Sequence, residues 1–416
     1  MNLTALLVGP EDATVDPPHG IIGCPDCGWI GALPRRSGHG VVHCPRCDAA
    51  LERTSARSID AALACALASL ALLFPANLMP LLRVTILGTV HQSVIASGVV
   101  GIWRQGWFIV AIVVGFEIVL LPFLRFGLLT AVLAAVRMRI RARWVGPAFR
   151  IAEMLDQWAM LDVFLFGGVI GYGRIAPFLP VSIGTGGWCM IAVAMLTLVT
   201  RASLERRAIW RAIAPDARAR PADAMACTAC DLVVACATEG ERCPRCGERL
   251  GRPRPFATME ALALTLAGFI CFPVAYLYPM EFNVQLGTSQ PYTIMDGVLK
   301  LIDAGFWYFA IVIFLASIVI PLLKLFGLAW FAISIHGGSN SRLRFKTRLS
   351  RVIREIGRWS HIDVFTVMVF LPLLHLGGAL AVTIGRGLPA FLAVVVLTMI
   401  ASDVFDPRAL WAAAEQ

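Results

Sequence analysis

The chain has 416 residues, 58% hydrophobic and only 15% charged, with a mean hydropathy of +0.74. A soluble domain carries about 25% charged residues, so this surplus of apolar surface needs lipid to cover it and excludes an ordinary soluble enzyme. The formal charge of +9 comes almost wholly from arginine; Lys300, Lys324 and Lys346 are the lysines, and none follows a glycine, which excludes a P-loop nucleotide site.

Read from the start, Met1–Gly23 is polar and lacks a basic-then-apolar leader pattern, so the first cysteine group is expected in the reducing cytosol. That group is two C-x-x-C knuckles, Cys24/Cys27 and Cys44/Cys47, separated by 16 residues; a second group, Cys227/Cys230 and Cys243/Cys246, has a spacing of 12. A C-P-x-C turn followed by Gly or a small polar residue aims two thiolates at one point, and two such turns complete a tetrahedral four-cysteine site. Two zinc ions are predicted, although iron fits the same thiolate set. A closed site of four thiolates does no Lewis-acid chemistry, so these ribbons are expected to fold small modules. Cys236, His39 and His43 are read as bystanders.

Apolar runs long enough to cross about 30 Å of hydrocarbon fall at Ile59–Asn77, Trp107–Val136, Asp162–Pro180, Gly187–Thr200, Thr258–Tyr278, Phe306–Ile335, Ile362–Gly378 and Pro389–Phe405. Arginine concentrates in the loops after the second and sixth runs and in the connector after the fourth, which predicts both termini and both cysteine groups inside. The basic loop Arg342–Arg358 reads as a topology determinant and anionic-lipid contact, not as a nucleic-acid site. The longer outward pieces, Ala76–Gly106 and Pro279–Gly305, carry β-branched residues and a Leu-Gly-Thr turn signal, so short strands are expected there.

The second half repeats the first at an offset of 199: Cys44-Pro45-Arg46-Cys47 recurs as Cys243-Pro244-Arg245-Cys246, Leu87-Gly88-Thr89 as Leu286-Gly287-Thr288, and Pro122 as Pro321. After a slip of two residues, Trp158 and Asp162-Val163-Phe164 recur as Trp359 and Asp363-Val364-Phe365. The expected architecture is an all-α polytopic membrane protein of two tandem repeats, each a cytosolic zinc ribbon followed by four transmembrane helices. The expected units are a first ribbon (1–56), a first helical module (57–205), a linker (206–223), a second ribbon (224–254) and a second helical module (255–416).

Ionisable groups inside hydrocarbon are costly and are candidates for function. These are Glu117, Arg125 and Asp162 in the first repeat and Lys324 and Asp363 in the second, joined there by the polar Ser317. Two readings stand side by side. Arg125 and Lys324 can snorkel to the headgroups while Asp162 and Asp363 cap helices; or the six line a polar site between repeats, with Lys324 facing Asp363. No nucleophile–base pair or open metal constellation is visible, with Ser317, His361 and His375 unassembled, so an enzyme is not expected.

The chain resembles the paraquat-inducible protein A family. The resemblance rests on the four knuckles, Phe74-Pro75-Ala76-Asn77-Leu78-Met79-Pro80, the Pro122/Arg125 and Pro321/Lys324 helices, and the two Asp-Val-Phe motifs. The second half has Phe272-Pro273-Val274-Ala275-Tyr276-Leu277-Tyr278-Pro279 where the first has Asn77, so any role of that asparagine is not duplicated. The resemblance implies a protein of the Gram-negative inner membrane that works with a periplasmic MCE-domain tunnel partner to move phospholipids and maintain the envelope. An ion- or proton-coupled small-molecule transporter, with Glu117, Lys324 and Asp363 as coupling groups, is the alternative.

Overall fold

The structure, a computed structural model, describes residues 19–33, 40–54, 59–86, 89–175, 180–217, 224–235, 240–251, 255–285, 288–303, 305–337, 341–373 and 380–414. Cys236, His39, His375, Leu87-Gly88 and Leu286-Gly287 lie outside the described residues. The chain is mostly helical, and seven helical runs among the described residues are long and apolar enough to cross a membrane. The expected all-α class needs one correction, because short antiparallel sheets occupy both ends of the molecule.

The first ribbon is two hairpins, β1 (His19–Gly23) with β2 (Ile30–Leu33) and β3 (Gly40–His43) with β4 (Ala50–Thr54). Helix α1 (Ile59–Leu78) is Ala- and Leu-rich, and its 20 residues span about 30 Å at 1.5 Å per residue. Pro75 costs it one backbone donor, and Asn77 Nδ2 donates to the Leu73 carbonyl at 2.8 Å within the same helix. At its far end stand strands β5 (Leu82–Ile86) and β6 (Thr89–Ser93), then α2 (Ile95–Arg104) and α3 (Phe108–Arg137). The chain returns through the amphipathic α4 (Val145–Trp158), α5 (Leu161–Ile175), strand β7 (Val181–Ile183), α6 (Thr185–Ser203) and α7 (Arg206–Ile213), which lies in the expected linker.

The second ribbon contributes β8 (Ala224–Ala226) and β9 (Val233–Ala235). The second module then repeats the first: α8 (Pro255–Leu277), β10 (Glu281–Gln285), β11 (Thr288–Tyr292), α9 (Ile294–Asp303), α10 (Trp307–His336), α11 (Leu343–Ile356), a 3-10 turn (Gly357–His361), α12 (Ile362–Leu373), β12 (Leu380–Ile384), α13 (Gly387–Val404) and α14 (Arg408–Ala413). The run expected at Ile362–Gly378 is represented by the 12-residue α12, since residues 374–379 are not described. The third run starts earlier than expected, because α4 leads into α5 as one apolar stretch from Val145 to Gly173.

Equivalent helices pair in each repeat, α1 along α6 and α8 along α13. Each module ends in a three-stranded sheet of order β6-β5-β7 or β11-β10-β12. Glycine makes the joins close: an added Cβ would sit 2.2 Å from the Pro80 carbonyl oxygen at Gly184 and 2.1 Å from that of Pro279 at the equivalent Gly385. The repeats meet where α5 packs on α12. Thr366 Oγ1 there donates to the Gly167 carbonyl at 3.3 Å, and Phe164 meets Phe365 edge-on at 5.8 Å.

Candidate metal centres and intramembrane polar site

All four knuckles share one backbone form. The amide after the second cysteine donates back to the first, from Gly28 to Cys24 (3.0 Å), Asp48 to Cys44 (2.9 Å), Asp231 to Cys227 (3.0 Å) and Gly247 to Cys243 (2.9 Å). These four donors hold φ between 59° and 73°, the left-handed region, which is why glycine or aspartate follows each knuckle. Cys227–Cys230 reaches this form without the Pro of the other three, and like Cys44–Cys47 it is followed by aspartate where the remaining two have glycine.

The sulfurs of Cys24, Cys27, Cys44 and Cys47 lie within 4.8 Å of one another, as do those of Cys227, Cys230, Cys243 and Cys246, and all eight residues are buried. Cross-knuckle Sγ–Sγ distances of 3.5 to 3.6 Å are close to the edge of about 3.8 Å that a tetrahedron with bonds of about 2.3 Å to zinc would have. The thiols are electrostatically frustrated without a cation. Hydrogen bonds to Cys24 and Cys47, followed by burial, push the Cys27 thiol far up, while hydrogen bonds from Cys24 and Cys27 hold Cys47 down at about 4. Four thiolates need a dication between them, and the donor set fits zinc or another soft divalent metal. Binding must displace the protons of the raised thiols, so affinity falls as pH falls. Elemental analysis at neutral pH is expected to give two metal ions per chain, and both should be released to a chelator progressively faster on acidification. A single ion at neutral pH would remove one ribbon from the assignment.

The ribbons are seated crosswise. The first packs on the second module, where Cys24, Cys27, Cys44 and Cys47 share a core with Leu328, Phe331, Phe405 and Trp411. Helix α11 grips it with arginines: Arg344 Nε donates to the Arg46 carbonyl at 3.0 Å, Arg351 Nη2 to the Cys47 carbonyl at 2.9 Å, and Arg351 Nε lies 2.9 Å from Asp26. The second ribbon packs on the first module. An added Cβ on Gly146 of α4 would sit 1.8 Å from the Arg245 carbonyl oxygen, Arg150 pairs with Glu248, and Arg206 pairs with Asp231 at 3.2 Å. The backbone bridge Ile22–Leu232 joins the two ribbons, and Ile21–Ala217 ties the first ribbon to the linker.

The intramembrane residues occupy three distinct settings. Each long helix widens into one π turn, Phe116–Leu120 in α3 and Leu315–Val319 in α10, just before Pro122 or Pro321, whose missing amide cannot continue the ladder. Glu117 and Ser317 lie in these turns, both buried. Nearer the ribbons, Arg125 is 3% exposed and pairs with Asp156. Arg201 Nε joins Asp156 at 2.9 Å, Arg201 Nη1 joins Asp162 at 2.9 Å, and Arg358 of the other repeat reaches Asp162 at 3.8 Å. Lys324, the repeat mate of Arg125, is 1% exposed, and its Nζ donates to the Gly357 carbonyl at 3.3 Å. Gly357 is the repeat mate of Asp156, so the second repeat keeps the cation and replaces its carboxylate by a backbone oxygen.

The structure therefore brings Arg125 and Asp162 into one network and sets Lys324 apart from it. The expected facing of Lys324 and Asp363 gives way to separate surroundings: Asp363 lies on the wall of a small cavity of about 30 Å³ with Glu281, Tyr292 and Thr293. Snorkelling does not describe Arg125 or Lys324, whose charged ends are covered by protein. Sequence reasoning missed Asp156, counted Arg201 and Arg358 only as topology charges, and left His361 unassembled, whereas its Nε2 lies 3.4 Å from Glu117 Oε1. An acidic residue at 156, six residues past Arg150 and at the start of an apolar run, was the available signal. A second cavity of about 120 Å³ is apolar and lies between α5 and α6, lined by Phe164, Gly168, Tyr172, Gly187 and Met190.

Two helical repeats with membrane-length apolar helices, each carrying a buried four-cysteine centre, define a multi-pass membrane protein of internally duplicated type. The chain belongs to the Paraquat-inducible protein A family, whose profile matches residues 59–214 and 259–415. It is similar to the Lipophilic envelope-spanning tunnel protein A of Escherichia coli (strain K12), with 29% identity over 394 residues, covering 94% of this chain and 91% of that one. It is similar to the Intermembrane transport protein PqiA of the same strain, with 27% identity over 400 residues (93% and 94%). A Probable intermembrane transport protein of Haemophilus influenzae is 25% identical over 423 residues (97% and 98%). No solved structure matches the chain.

Proposed function

We propose that this chain is the inner-membrane component of an intermembrane phospholipid transport system, passing lipid between the inner membrane and a periplasmic MCE-domain tunnel partner. In this reading it makes eight crossings, holds zinc in both four-cysteine centres, and keeps both ribbons and both termini in the cytosol. The similarity along nearly the whole chain to proteins named for intermembrane transport carries the proposal. The arginine-rich segments on the ribbon side support the orientation. No catalytic role is assigned.

The apolar cavity between α5 and α6 supports an acyl-chain seat. Its second-repeat equivalents of Gly187 and Met190 are Leu388 and Phe391, both fully buried, so the space belongs to the first repeat. Gly168 lines it, and an added Cβ there meets nothing within 4 Å. Gly168→Phe is therefore expected to fill the seat without a backbone clash, and helix propensity changes by only a few tenths of a kcal/mol in its favour. The envelope barrier of a strain lacking the protein should be restored by the parent chain and not by Gly168→Phe, at equal expression and metal content. Full restoration by the variant removes the seat from this cavity. Ion- or proton-coupled transport of a small molecule is the second reading, favoured by the buried carboxylate of Glu117.

A further inference from the structure

Glu117 and His361 are buried ionisable groups of the helical core without a hydrogen-bond partner among the described residues. Glu117 is 2% exposed in the π turn of α3, and His361 is 0% exposed at the end of the 3-10 turn that leads into α12. They come from different repeats and meet at 3.4 Å, Nε2 to Oε1. Among the described residues no hydrogen bond reaches either carboxylate oxygen or either ring nitrogen. The imidazole stacks on Phe365, with centroids 5.8 Å apart.

The internal duplication supplies a control. The repeat mate of Glu117 is Ala316 and that of His361 is Met160, both buried at 3% and 2% exposure. At the equivalent place the fold is thus completed by an alanine and a methionine. A buried ion pair can generally be replaced by apolar residues at little cost, so packing alone gives no reason for two ionisable groups here. π turns also cluster at functional positions, because the widened turn redirects a side chain.

We propose that Glu117 and His361 form a proton-binding site at the seam between the two repeats. With one proton the pair is either carboxylate with imidazolium or carboxylic acid with imidazole, and both forms are neutral overall. A second proton taken from water leaves one positive charge at the seam, and loss of the first leaves one negative charge. Either change places net charge between α3 and the turn that starts α12, and the packing there must answer it. The charged groups on the surrounding elements have other partners or surroundings, including Asp403 of α13, the helix packed on the 3-10 turn, which accepts from Gln157 at 2.6 Å. Arg125, further along α3, is held by Asp156; Arg358, on the same 3-10 turn, reaches Asp162 of α5; Lys324 of α10 donates to Gly357; Asp363 of α12 lines the small cavity. The π turn of α10 faces the same 3-10 turn and carries no charged residue. The site deepens the transport reading by giving it a place to take up a proton, but its existence does not rest on that reading.

Difference infrared titration of the purified chain in phospholipid vesicles, with isotope-labelled histidine, tests the site on protein that need move no lipid. On acidification the parent chain should show one carboxyl band and one imidazole band changing together, in addition to the bands of its six other histidines. Both changes should be lost in Glu117→Gln and in the double variant Glu117→Ala/His361→Met, which copies the first-and-second-repeat equivalents and should fold with near-parent thermal stability. A carboxyl–imidazole change that persists in Glu117→Gln, or none in the parent chain, overturns the proposal. Loss of lipid transfer with the titration intact would count against the lipid reading and leave the proton site standing.

Discussion

Cys47→Ser is expected to empty the first four-cysteine centre and to loosen a helix nearly 300 residues away, in the second module. Binding of a structural zinc contributes about 10–16 kcal/mol in small zinc-finger peptides, as much as the whole stability of a typical domain at about 5–15 kcal/mol. Without the metal the ribbon cannot hold its knuckles, and the Cys47 and Arg46 carbonyls that receive Arg351 and Arg344 lose their positions. Helix α11 is strongly amphipathic and arginine-rich, so its polar face depends on these acceptors. Hydrogen exchange should accelerate in α11 and α14 and stay near the parent rate in α4. Cys246→Ser should do the reverse, loosening α4 through Gly146 and Arg150 while sparing α11. Acceleration confined to the module that follows each ribbon in sequence would sink the crossed arrangement.

Asp156→Asn should destabilise the chain by about 3 kcal/mol, read as a fall in unfolding temperature in detergent. Breaking a buried pair by removing one partner costs about 3–5 kcal/mol, and the lower end applies because the Asp156 side chain is 34% exposed. The substitution keeps an oxygen acceptor but leaves the 3%-exposed guanidinium of Arg125 without its counter-charge, while Arg201 still has Asp162. Lys324→Met provides the contrast. Its Nζ donates to a carbonyl and has only a longer-range attraction to Asp403, which also accepts from Gln157, so removing the ammonium should destabilise the chain less than Asp156→Asn does. If envelope function is nevertheless lost in Lys324→Met, the lysine serves transport and not the fold. Equal destabilisation by both substitutions would contradict the asymmetry between the repeats.

Much of this organisation was legible in the sequence because it depends on local chemistry. Membrane-length apolar runs follow from composition, the knuckles from C-x-x-C spacing with a left-handed residue after each, and the duplication from the fixed offset of 199. Strands beyond the first span were readable from β-branched residues around Val84 and Thr85, and the structure places β5 there. Boundaries were less legible. The third span was read from Asp162 because Glu153 and Asp156 break the hydropathy, whereas α4 carries those acids on one face and leads directly into α5.

By itself the sequence determined which residues could be ligands and which charges interrupt apolar runs, since ligand type and burial cost are properties of residues and their spacing. Only the tertiary structure decided which of them meet. It seated each ribbon on the other repeat, paired Arg125 with Asp156, left Lys324 to a carbonyl, and brought His361 to Glu117 across the seam. The physical reason is that a repeat offset relates equivalent positions but carries no information on contacts between repeats. Such contacts depend on close approaches, such as those at Gly146 and Gly167, that no local pattern encodes.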